Sequence, residues 1–147
     1  EKNLLLFKKF LISPFLEKKI AAMQKFKFYC EAREFSQMMC RWIIDECIVE
    51  YIFADSNPEM ISRIHSLIEL LIWEDAFTKE QLLLIWKNCI DEHKHEAVVK
   101  EILDLLIELG KRMKIEHLDI IFKEISSLKQ YDEKLVNFIK DFYNSTL

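Results

Sequence analysis

Apolar residues recur along this chain at intervals of three and four, the spacing of a helical stripe. The stretch at 80–109, EQLLLIWKNCIDEHKHEAVVKEILDLLIEL, carries the pattern furthest. It divides at the polar turn Asp91-Glu92-His93 into two amphipathic helices. The first places Leu82, Ile85, Trp86, Cys89 and Ile90 on one face. The second is apolar on two faces, with Val98, Ile102, Leu105 and Leu109 forming one stripe and Val99, Leu103 and Leu106 widening it. A helix that is apolar on both sides must be covered from both sides, as in stacked helical hairpins.

The same reading predicts helices over 3–11, 14–30, 36–53, 58–73, 115–128 and 132–143, eight in all, and no strand. Buried positions are expected at Phe15, Leu16, Ile20, Met23 and Phe26, then at Met39, Trp42, Ile43, Cys47, Val49 and Ile52. Further on they fall at Ile61, Ile64, Leu67, Ile68 and Leu71, at Leu118, Ile121, Phe122 and Ile125, and at Leu135, Phe138, Ile139 and Phe142. Ser13-Pro14 and Asn57-Pro58 read as N-caps followed by proline at the first helical position. Thr78 with Gln81 makes a capping box, with Phe77 and Leu82 as its staple. Gly110 reads as the left-handed residue beyond a helix.

EQLLLIWK at 80–87 and EHLDIIFK at 116–123 match at Glu, Leu, Ile and Lys, with Trp86 facing Phe122, an offset of 36 residues. The same shift places Leu67 on Leu103 and Leu70 on Leu106. A period of this length marks helical solenoids, so the expected fold is an all-α superhelix of stacked hairpins, armadillo- or HEAT-like, over 1–147 as a single segment. The first residues, with lysines on both sides of a short apolar run, read as the middle of a longer chain.

Composition supports helices with short connections, because one glycine and two prolines in 147 residues leave little turn chemistry for sheets. Net charge is −4, with eight Lys/Arg against four Asp/Glu in 1–35 and the reverse excess beyond. An acidic majority disfavours a nucleic-acid surface. No apolar run approaches the roughly 20 residues that span a bilayer.

Candidate chemistry is sparse. Cys30, Cys40, Cys47 and Cys89 form no C-x-x-C pair and sit at apolar positions, which predicts four buried, slowly reacting, reduced thiols of a cytosolic or nuclear protein, with the cytoplasm as the expected location. Cys40 and Cys47, seven apart, would share a face. His93 and His95 lie two apart, whereas helical metal sites use three or four, so exposure or capping is expected. Trp42, Trp73 and Trp86 read as core. Glu96 with Lys100 and Glu108 with Arg112 read as i,i+4 pairs. No catalytic, cofactor-binding or metal residue is assigned, and no partner-binding position can be named.

Ile85 to Leu109, followed by EHLDIIF at 116–122, resembles the N-terminal helical-repeat region of the fat facets-type, very large ubiquitin-specific proteases. The likeness rests on Ile85-Trp86, Lys94-His95-Glu96-Ala97 with Val99-Lys100, Asp104-Leu105-Leu106 and Glu116-His117-Leu118-Asp119. ISPFLEKKI at 12–20 and RWIIDECIVEYIF at 41–53 match more loosely, and the likeness runs to about Ile125. The segment between Cys30 and Arg41 is shorter than the family's acidic connection, which marks a divergent eukaryotic member. The resemblance implies a non-catalytic scaffold and protein-interaction segment of a deubiquitinase, since the family's catalytic Cys and His motifs match nothing here. Its expected partners are other proteins and neighbouring repeats, with no cofactor, nucleic acid or membrane. The alternative is a stand-alone helical-repeat adaptor unrelated to ubiquitin.

Overall fold

The computed structural model describes residues 2–146. Among them are ten helices and no strand: α1 Lys2–Leu11, α2 Leu16–Ala32, α3 Ser36–Asp45, α4 Ile48–Asp55, α5 Pro58–Ile61, α6 His65–Trp73, α7 Lys79–Ile90, α8 Glu96–Gly110, α9 Ile115–Ser126 and α10 Glu133–Thr146. The count is ten rather than eight because two expected helices are broken.

The first break has its cause in the apolar pattern itself. Met39, Cys40 and Ile43 are buried in α3, and Ile48, Val49, Ile52 and Phe53 in α4. At 3.6 residues per turn these two sets lie roughly half a turn out of phase, so one straight helix could not bury both. The chain resets the phase at Cys47, which takes the left-handed conformation at φ 51°. Cys47 is therefore exposed rather than buried, and it shares no helical face with Cys40.

The second break is local. The Glu59 carbonyl accepts from the Ser62 hydroxyl and, at 2.7 Å, from the Arg63 guanidinium, so side chains take the bond that the Arg63 N–H would make. That N–H turns to the Met60 carbonyl instead. The buried stripe Met60, Ile61, Ile64, Leu67, Ile68 and Leu71 stays in phase across the gap.

By contact, the chain divides into two compact units, Glu1–Phe77 and Thr78–Leu147. In the first, α2 packs against α1, α3, α5 and α6. Its buried stripe is Lys19, Ala22, Met23, Phe26 and Cys30. Phe15 and Leu16 are exposed, and Ile20 is only partly covered. The Ser13-Pro14 signal marks a turn rather than the helix start: the Phe15 N–H donates to Ser13 Oγ at 3.2 Å, and α2 begins at Leu16. That start leaves Phe15 outside the helix and Leu16 at its open end.

In the second unit α8 is covered on both sides, packing against α7 and α10. Val98, Ile102, Leu103, Leu105, Leu106 and Leu109 are buried, while Val99 of the widening stripe is only partly covered. The helices α7 and α9 are twelve residues each, and the offset of their starting residues, Lys79 and Ile115, reproduces the repeat period seen in the sequence. Trp86 and Phe122, at matched positions, both meet aromatic rings of α10: Trp86 lies 6.3 Å from Phe138, and Phe122 5.7 Å from Phe142. Gly110 is the last residue of α8 and has no positive φ. Its role is space, since a Cβ there would stand 2.8 Å from both the Phe142 ring and the Thr146 methyl.

Candidate interaction surfaces

The residues singled out from sequence do not converge. His95 caps α8, its Nδ1 accepting from the Ala97 N–H at 3.1 Å. His93 is exposed, and its backbone N–H donates to Asp91 Oδ1 at 2.9 Å. No group of metal-ligating side chains occurs among the described residues. Cys30 and Cys89 are buried in separate units, and burial pushes both thiols from an ordinary 9.0 up to about 12. Burial, aided by the Glu74 charge, also raises Cys40. A thiol held protonated is a poor nucleophile.

Both expected i,i+4 pairs are replaced. Glu96 pairs with Lys134 of α10, whose ammonium holds the Glu96 carboxyl below its ordinary value. Glu108 pairs with Lys111 at 3.5 Å. In each case an alternative ammonium comes within reach of the carboxylate.

In the second unit the α7–α8 turn, the α9–α10 connection and the start of α10 enclose a groove of about 1090 Å³. Cys89, Val99, Leu103 and Leu135 form its apolar lining, and the Glu96–Lys134 pair belongs to its polar rim. The Tyr131 hydroxyl donates to the Ile125 carbonyl at 2.9 Å, and Asp132 Oδ1 accepts from the Leu135 N–H at 2.8 Å, so the α9–α10 connection is tied at both ends. The groove left no mark in the sequence because its walls come from two connections and the helices beside them, far apart along the chain.

In the first unit Lys19 is a buried cation. Its ammonium donates to Asp55 Oδ2 at 3.1 Å and to the Tyr51 hydroxyl at 3.3 Å. Burial pulls its pKa down, but the Asp55 and Tyr51 contacts outweigh it and the net shift is upward. The three tryptophans also divide. Trp86 is fully buried, and Trp42 is half-buried and stacked on Phe26 with centroids 5.0 Å apart. Trp73 is 67% exposed, and the Arg33 guanidinium lies over its ring at 5.0 Å. Trp73 is thus no core residue: as the last residue of α6 it falls past the stripe that ends at Leu71 and Ile72.

A chain built only of helices, with helix pairs recurring at a fixed period, is a helical repeat. The family described as the UBP24/USP9X/USP9Y ARM repeat matches residues 16–143, and the chain belongs to that family. The match extends to residue 143, past Ile125. The chain is 29% identical over 109 residues to the probable ubiquitin carboxyl-terminal hydrolase FAF of Drosophila melanogaster. It is 31% identical over 111 residues to ubiquitin carboxyl-terminal hydrolase 9Y of Mus musculus, and 30% over 112 residues to 9Y of Homo sapiens. These alignments take in 69%, 71% and 71% of the chain but 4% of each relative's length. No solved structure matches it.

Proposed function

We propose that this chain is a single helical-repeat segment of a large ubiquitin-specific cysteine protease, acting as a non-catalytic scaffold and protein-interaction surface. The observation that carries the reading is the ARM-repeat match over 16–143, joined to relatives that are named ubiquitin carboxyl-terminal hydrolases. Supporting it, Cys30 and Cys89 sit in apolar packing with their thiols held protonated, and His93 and His95 serve a turn and a helix cap rather than a thiol. Reduced thiols fit a cytoplasmic setting. Its partners on this reading are substrates or regulators of the parent protease and neighbouring repeats.

The test is deletion of the segment from its full-length protein. Cleavage of a ubiquitin–fluorophore should stay at the parental rate, while processing of an intact ubiquitinated protein substrate falls. Loss of fluorophore cleavage by a folded deletion protein would place the segment in the catalytic machinery and refute the reading. A full reading frame without a protease domain would favour the stand-alone adaptor.

A further inference from the structure

The exposed end of α6 and the α2–α3 turn form a built surface that the scaffold reading does not yet use. Ser36 Oγ donates to Glu74 Oε1 at 2.5 Å, and Arg33 lies on the Trp73 ring, so two contacts hold the turn against the helix end. Arg33 reaches the ring from a left-handed position, φ 60°. Phe35 is 47% exposed and Met38 44%, and residues 34–38 line a hollow of about 450 Å³. Tryptophan, arginine, phenylalanine and methionine are the side chains enriched where proteins dock, and a large exposed aromatic beside a hollow suits an apolar anchor.

Charge selects the partner. Segments 31–38 and 73–74 carry three carboxylates, Glu31, Glu34 and Glu74, against one cation, Arg33, which lies over the Trp73 ring. The C-terminal end of α6 adds the negative pole of its dipole.

We infer that this surface docks a basic peptide segment with an apolar anchor, the anchor seated against Trp73, Phe35 and Met38 and its Arg or Lys side chains beside Glu34 and Glu74. The inference rests on the interaction-segment reading above and names a partner class for it. The exposed Trp73 ring also has a π face that such an arginine can stack on.

The probes are two short fluorescein-labelled peptides, one alternating arginine with leucine and one alternating glutamate with leucine, titrated into the 147-residue chain at low and high salt. Anisotropy should rise saturably with the arginine peptide alone and weaken as salt rises. Trp73→Ala should weaken binding about tenfold, and Glu34→Lys should weaken it at low salt but little at high salt. Both positions are exposed, and circular dichroism checks that each variant keeps its helices. Equal binding of the two peptides overturns the site. So does arginine-peptide affinity unchanged in both folded variants, an outcome that leaves the scaffold reading to the deletion experiment.

Discussion

At Gly110 two uses of glycine separate. The sequence places it at a helix end, where a left-handed turn is the ordinary reason for glycine, yet here it stays helical and makes room for Phe142 and Thr146. Alanine would gain about 1 kcal/mol of helix propensity at an open site. Against the Phe142 ring it meets overpacking of about 1–3 kcal/mol, so the net effect of Gly110→Ala is destabilising, read by urea unfolding. Cys47 is a second residue whose environment depends on what surrounds it. It is the one exposed thiol of the four, so a thiol reagent on native protein should find one fast cysteine, and Cys47→Ser should remove that phase. A single fast thiol is then the consequence of exposure and does not argue for an active site. Trp86 has a buried indole N–H with no hydrogen-bond partner, while the repeat puts Phe122 at the matched position. Trp86→Phe removes that unsatisfied donor and should cost far less than the roughly 3–5 kcal/mol of Trp86→Ala.

Among the elements, those with both a periodic stripe and a cap were legible in the sequence. Thr78 and Gln81 exchange both bonds of the capping box at 3.1 Å, and Asn57 accepts from the Glu59 N–H with Pro58 behind it. Thr78→Ala should therefore lower stability by about 1 kcal/mol, seen as a fall in the urea midpoint at unchanged slope. The α3–α4 break was legible in principle, because the phase of the apolar positions slips there. A continuous run of apolar letters hid the slip, since Ile44 fills the sequence while standing exposed. The start of α2 was misread for another reason: Ser13 satisfies the Phe15 N–H rather than capping a helix beginning at Pro14. The groove walls, the Lys19–Asp55 contact and the Glu96–Lys134 pair join residues more than thirty positions apart. Local periodicity carries no record of such pairings, so these parts of the candidate sites were not legible.

For the whole molecule, the buried titratable groups set one pH dependence. The Cys30 and Cys89 thiols ionise near 9.0 when the chain is unfolded but only near about 12 when it is folded. The folded state thus keeps protons that the unfolded state loses, and stability present below pH 9.0 declines as pH rises through that window. Lys19 acts in the same direction at higher pH: its folded pKa is raised above 10.5, so its contribution is complete below that value and is lost as pH climbs through the folded one. The urea midpoint should fall steadily once pH passes about 9, and Cys89→Ala should flatten the lower part of that fall. The all-helical class was legible because repeat period and stripe survive across a long chain of helices, and the family through the resemblance that Ile85-Trp86, Lys94-His95-Glu96-Ala97 and Glu116-His117-Leu118-Asp119 carry; the exposed surfaces were not, because their side chains are gathered from different turns.

On the proposed reading this ARM-repeat segment carries no reaction centre of its own. The most direct test is incubation of the purified 147-residue chain with a ubiquitin–fluorophore under reducing conditions. The predicted result is release no faster than the buffer blank, unchanged in Cys47→Ser. Release above the blank that disappears in Cys47→Ser would contradict it.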